Sequence, residues 1–171
     1  MALDGLKSAA LVFVAAILQA SVFSSVTILN GTPDLLLVTI ICIALLRGPV
    51  VGALAGFWGG LLLDVANLET LGVTSLLLTI AGYWTGRYGE TTGRDRAHAP
   101  FLSVAVITFL YALGSLAFHF VLGEPAPART VLWTTLFQGI VLNLILTWPV
   151  YRIVRLVLRQ LDRVQRIHAV G

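Results

Sequence analysis

Apolar residues in this chain form long uninterrupted runs, separated by short polar or charged connections. Six runs are candidate membrane crossings, at residues 8–29, 35–46, 49–63, 73–84, 101–122 and 131–150. The first has no charge over 22 residues, enough for a helix to cross a hydrocarbon core of about 30 Å. Polar and apolar positions do not alternate as they would in a barrel. The pattern predicts an all-α integral membrane protein with six transmembrane helices.

The composition excludes an ordinary soluble protein. Hydrophobic residues make up 58% of the 171 residues, charged residues make up 11%, and the mean hydropathy is +0.94. A chain of this length forms one membrane domain, which we place at residues 1–150, followed by a basic amphipathic cytoplasmic tail at residues 151–171. The single cysteine, Cys42, has no thiol with which to form an internal disulfide and is expected to be a core residue.

The positive charges are divided unevenly between the connections. Lysine and arginine accumulate on the cytoplasmic side of membrane proteins. One set of alternate connections and termini holds ten of them: Lys7, Arg47, Arg87, Arg94, Arg96, Arg152, Arg155, Arg159, Arg163 and Arg166. The remaining connections hold only Arg129. This division predicts six spans with both termini cytoplasmic. A cleavable signal peptide is the competing interpretation of the first run, but Leu18 stands where a small residue is expected before a cleavage site.

Glycine recurs every fourth residue where the third run begins. The glycines are Gly48, Gly52, Gly56 and Gly60, and the fourth run repeats the spacing with Gly82 and Gly86. On a helix this spacing gives one face with almost no side-chain bulk. Such faces allow close helix contact in lipid, so we expect this one to pack against another span of the chain. A partner's transmembrane helix and a substrate groove are the alternatives. Runs two to four are short, which favours segments inside the bundle or a locally thinned membrane.

Acidic residues stand at two predicted helix ends. Asp34 precedes the second run, where it complements the positive end of the helix dipole, and Arg47 begins the turn to the third. Asp64 takes the next step of the glycine spacing, at the carboxyl end of the third helix, where the dipole disfavours an anion by about 0.3–1 kcal/mol. If Asp64 lies at a membrane surface, hydration of its carboxylate is enough to offset this dipole penalty. Otherwise the available partners are Arg129, His119 and the backbone N–H groups of residues 68–72, which include Leu71 and Gly72. We expect Asp64 to accept hydrogen bonds from the start of the fourth helix or to pair with Arg129.

Other polar residues within the runs indicate helix packing. Gln19, Gln138 and Asn143 are expected to make hydrogen bonds between helices. No catalytic set, phosphate loop or metal-ligand spacing is present, so we expect neither an enzyme nor a cofactor.

Basic residues recur at helical spacing after the sixth run. They are Arg152, Arg155, Arg159, Arg163 and Arg166, opposite an apolar face that includes Val154 and Leu158. This pattern predicts a helix lying on anionic lipids of the cytoplasmic leaflet. A cytoplasmic protein with an acidic surface is the alternative partner. Nucleic acid is not expected, because no aromatic residues are interleaved with the arginines.

Several motifs in combination resemble the MreD family of rod shape-determining membrane proteins. They are Thr32-Pro33-Asp34, Arg47-Gly48-Pro49, Gly56-Phe57-x-x-Gly60-x-x-x-Asp64, Thr70-Leu71-Gly72, and Gly82-Tyr83. The resemblance implies a non-enzymatic inner-membrane subunit of the elongation machinery, working with MreC, MreB, RodA and a penicillin-binding transpeptidase in side-wall peptidoglycan synthesis. It also implies a fold like the substrate-binding subunits of energy-coupling-factor transporters. Residues 52–64 and 70–72 would then shape an outer cavity facing MreC or lipid.

A small-molecule-binding subunit of a transporter is the rival function. Short, broken central helices and an outer Asp64 would also suit a solute site. The polar and aromatic side chains that could converge in such a site are Trp58, Asn67, Glu69 and Trp133.

Overall fold

The computed structural model describes the backbone of residues 2–23, 33–68, 70–92, 98–123 and 129–169. Within these ranges the chain forms six α-helices and one π-helical turn. They are α1 (Ala2–Leu18), continued by the π-helical turn Gln19–Phe23, α2 (Leu35–Arg47), α3 (Pro49–Asn67), α4 (Val73–Thr92), α5 (Ala99–Leu122) and α6 (Arg129–Ala169). The predicted all-α class is confirmed.

Helix α2 is the centre of the bundle and contacts each of the other five helices. Residues 36–45 of α2 are all buried. Because α2 is apolar on every side, it has no face suited to water or to lipid headgroups. The expectation that a short segment lies inside the bundle is correct for α2, which has 13 residues.

Helices α3 and α4 are longer than their apolar runs. They extend to Asn67 and Thr92 and have 19 and 20 residues, or about 28–30 Å. The expectation that α3 is too short for an ordinary crossing was therefore wrong, whereas α4 is long enough but is not among the stretches that are also apolar enough. The predicted runs end at Leu63 and Trp84, before the charged residues Asp64 and Arg87, whereas backbone hydrogen bonding continues past those residues.

Helix α6 is continuous over 41 residues and passes through Pro149. The predicted boundary between membrane domain and tail therefore lies within a helix. Val154 and Leu158 are buried in the same core cluster as α2. The apolar face predicted for a membrane-surface helix is thus used for packing within the protein up to Leu158, the last residue with a described side chain.

Three helical stretches are long and apolar enough, by length and composition, to cross a membrane. They are Pro49–Asn67, Ala99–Phe118 and Leu136–Leu158. Ser8–Ser21 and Leu35–Arg47 are apolar but shorter. These stretches were identified among the described residues only. The six-span topology and the cytoplasmic position of both termini stay predictions.

Candidate functional site

Five glycines form the contact between α3 and α4, which we call the glycine seam. They are Gly52, Gly56 and Gly60 on α3 and Gly82 and Gly86 on α4, all buried. A Cβ atom on any of them would lie within 3.0 Å of backbone atoms of the facing helix. The glycines therefore pack against another helix of the same chain. Because α4 covers these glycines, their face is not open to a partner's helix.

Gly48 belongs to the turn between α2 and α3 and not to the helical face. Its φ of 98° lies in the left-handed region that favours glycine, and its N–H donates to the carbonyl of Ala44 at 2.8 Å. Pro49 follows at the first position of α3, where its missing N–H removes nothing. A Cβ on Gly86 would also approach the Gly48 carbonyl carbon. Gly48 thus closes the turn at the end of the seam.

Asp64 links the last turn of α3 to the start of α4. Its side chain is fully buried, and Oδ2 accepts hydrogen bonds from the N–H groups of Gly72 at 2.8 Å and Ser75 at 3.4 Å. These are the hydrogen bonds predicted from the sequence at the start of the fourth helix. Oδ1 has no partner among the described residues. The side chain of Arg129, the other predicted partner, lies outside the described residues.

The hydrogen bonds to Oδ2 of Asp64 offset the helix-dipole penalty of its place in α3. Hydrogen bonds typically contribute about 0.5–1.5 kcal/mol each, more than the dipole penalty of about 0.3–1 kcal/mol. Gly72 has a φ of 95°, a conformation that glycine adopts without steric cost. Leu71 was predicted in this site, but its side chain is 65% exposed. Asp64 therefore closes the α3–α4 hairpin at the end opposite Gly48.

Gln19 and Asp34 bind the N–H groups at the start of α2. Gln19 Oε1 accepts from Leu35 N–H at 2.7 Å, and its Nε2 donates to the carbonyl of Pro33 at 3.3 Å. Asp34 caps its own helix, since its Oδ1 accepts from Leu37 N–H at 2.9 Å. A short helix inside an apolar bundle cannot rely on water for these groups. The side chains of Gln19 and Asp34 accept these hydrogen bonds in place of water.

Asn143 joins the start of α2 to α5 and α6. Its Oδ1 accepts from the backbone N–H of Asp34 at 2.7 Å, and its Nδ2 donates to Thr108 Oγ1 at 3.2 Å. The predicted role of Gln19 and Asn143 in bonding between helices is confirmed. Gln138 differs, because its buried Oε1 has no described partner. We call the connected side chains the polar centre: Gln19, Asp34, Thr108 and Asn143.

Replacing Asn143 with alanine is expected to lower the free energy of unfolding by about 0.6–2 kcal/mol, because Asp34 N–H and Thr108 lose their partner. Thermal unfolding of the purified protein in detergent measures the change. Val141→Ala, two residues away on a partly exposed position, is the control for truncation without loss of a polar contact. Equal shifts for both variants would contradict the assigned role.

Arg87, on α4, pairs with Glu90 at 3.2 Å. The other arginines with described side chains lie where α2 and α6 approach each other, and along α6. Arg47 Nη2 donates to the backbone carbonyl of Leu158 at 3.1 Å. The guanidinium of Arg152 lies 4.8 Å from the ring centre of Trp148. That of Arg155 lies 5.9 Å from the ring of Tyr151. Such cation–π contacts contribute about 0.5–1 kcal/mol at exposed sites. The side chains of Arg159, Arg163 and Arg166 lie outside the described residues, so anionic lipid binding stays a prediction.

Sequence reasoning missed Ser75 and Thr108. Ser75 donates its N–H to Asp64 and its hydroxyl to the carbonyl of Phe57 at 2.9 Å. The sequence feature that could have identified them is a hydroxyl side chain within an apolar run. That signal is weak, because Thr79 has the same pattern and its hydroxyl only donates to the carbonyl four residues earlier in its own helix.

These features define a helical membrane protein in which the hydrogen-bonded polar groups described above connect helices. The family model described as rod shape-determining protein MreD matches residues 4–157. Because the match covers most of the chain, the chain belongs to the MreD family, a family of shape-determining structural proteins of the membrane. Comparisons with curated proteins and with solved structures gave no match. The likeness to substrate-binding transporter subunits stays a prediction.

Proposed function

We propose that this protein is a non-enzymatic scaffold subunit of the bacterial cell-elongation complex, required for cell shape and side-wall peptidoglycan synthesis through interaction with MreC. It crosses the inner membrane six times with both termini cytoplasmic. MreB, RodA and a penicillin-binding transpeptidase are further members of the complex, and anionic lipids contact the basic tail. Membership of the MreD family supports this role.

The hydrogen bonding at the start of α2 is the observation that favours a scaffold over a solute-binding subunit. Transporters often direct the free N–H groups of interrupted helices at the solute. Here Leu35 N–H is bound by Gln19 and Leu37 N–H by Asp34. Trp58 and Asn67, two of the residues suggested for a solute site, are nine positions apart on α3, or about 13 Å. The side chains of Glu69 and Trp133 lie outside the described residues.

Depletion of the protein in its own bacterium is expected to give rounded cells, and re-expression should restore rods. The tagged protein, purified from membranes in mild detergent, should recover MreC as identified by mass spectrometry. A version with Gly56→Leu, which disrupts the glycine seam, is the negative control for both readouts. Recovery of a transporter ATPase without MreC, or normal rods after depletion, would overturn the proposal.

A further inference from the structure

A groove of about 570 Å³ lies between α1 and α3. Buried residues, Val12 and Ala55, line its base, while the exposed side chains of Phe13, Leu54 and Trp58 stand at its edges. Gly56, in the seam, and Trp58 are two residues apart on α3, so their directions differ by about 160°. The groove is therefore on the face of α3 opposite the one that α4 covers.

Two polar groups in this groove lack a hydrogen-bond partner among the described residues. The hydroxyl of Ser8 is buried, with the residue 4% exposed, and its Oγ has no partner. Trp58 is 59% exposed, and its ring contacts Phe57 edge to face, but its indole N–H makes no hydrogen bond with any described residue. In the hydrocarbon core, an indole N–H needs a partner supplied by protein.

The position of Trp58 decides between a lipid acyl chain and a transmembrane helix as the occupant of the groove. Trp58 is the middle residue of α3, nine residues from each end, and α3 is long and apolar enough to cross a membrane. Tryptophan is usually found at the membrane interfaces, where its N–H reaches headgroups. An acyl chain offers no acceptor at mid-depth. A transmembrane helix does, through serine, threonine, asparagine or glutamine side chains.

We propose that the α1–α3 groove binds one transmembrane helix of a partner protein, which presents a polar side chain that accepts a hydrogen bond from the Trp58 indole. This inference rests on the proposed function, in which that partner is MreC. Val12 and Ala55 at the base let the helix approach closely.

Trp58→Phe removes the indole N–H and keeps an aromatic ring. It is expected to weaken association with MreC about 3- to 20-fold, the range of one hydrogen bond between membrane helices. Trp84→Phe is the matched control, because Trp84 is 64% exposed and also contacts the preceding aromatic residue, Tyr83, edge to face. Binding is measured by titration of the two purified proteins in nanodiscs. An equal affinity for both variants would overturn the inference.

Photo-cross-linking locates the occupant directly. A photoreactive residue at Leu54, in the groove, should form an adduct with the transmembrane segment of MreC in the purified complex, whereas one at Ile80, an exposed position on α4, should not. Adducts only with lipid, with a second copy of the chain or with the soluble part of MreC would overturn the inference. If MreC co-purifies but cross-links only at Ile80, the groove is wrong and the proposed function stands. If MreC does not co-purify, the proposed function itself fails.

Discussion

Gly56→Ala is expected to destabilise the protein by roughly 1–3 kcal/mol, although alanine is the better helix former. The added Cβ would lie within 3.0 Å of backbone atoms of Leu78 and Thr79. Backbone atoms in a packed helix cannot rotate away as a side chain can, so α3 and α4 must separate. The larger Gly56→Leu should prevent closure of the hairpin and abolish rod-shape rescue.

Gly139→Ala on α6 is the matched control for this experiment. No heavy atom lies within 4 Å of a Cβ built there, so the same methyl group should leave the free energy of unfolding unchanged or raise it. Thermal unfolding of both variants in the same detergent provides the comparison. Similar losses in both variants would show that helix contact at Gly56 is not the cause.

Asp64→Ala is expected to lower the free energy of unfolding by about 2–5 kcal/mol. The N–H groups of Gly72 and Ser75 would lose their acceptor, and each unsatisfied buried group costs about 1–3 kcal/mol. Asp64→Asn keeps an oxygen at the same place and should lose less than half as much. The amides of Gly72 and Ser75 should exchange hydrogen faster in Asp64→Ala than in the native protein.

The comparison of Asp64→Ala with Asp64→Asn separates hydrogen bonding from charge. Equal destabilisation by both would indicate that the negative charge, rather than the acceptor oxygen, holds the hairpin together. Unchanged amide exchange at Gly72 in Asp64→Ala would contradict the assignment of this hydrogen bond.

Spacing along one helix predicted the local features of this fold well. The four-residue period of Gly52, Gly56 and Gly60 indicated a close helix contact, and the place of Asp64 indicated a bond to the next helix. Helix bounds were less accurate, since α3 and α4 continue past their first charged residues. A sequence shows where apolar runs end, but the hydrogen bonds that allow a helix to continue depend on its neighbours.

The polar centre could be predicted only in part. An amide within an apolar run indicates bonding between helices, and both Gln19 and Asn143 do bond in that way. Their partners did not follow from the sequence, because Asp34 and Asn143 are 109 positions apart. The same is true of Arg47 and Leu158, which are 111 positions apart. Only the arrangement of helices around α2 brings these residues together.

Among the described residues, hydrogen bonds join α6 to both ends of α2. Asp34 and Arg47 are 13 residues apart on α2, and their partners Asn143 and Leu158 are 15 residues apart on α6, so the two spacings are about 20 and 22 Å. Sliding of one helix along the other would break both bonds together. A force applied to α6 beyond Leu158 is therefore transmitted through these hydrogen bonds to α2, whose residues 36–45 are all buried.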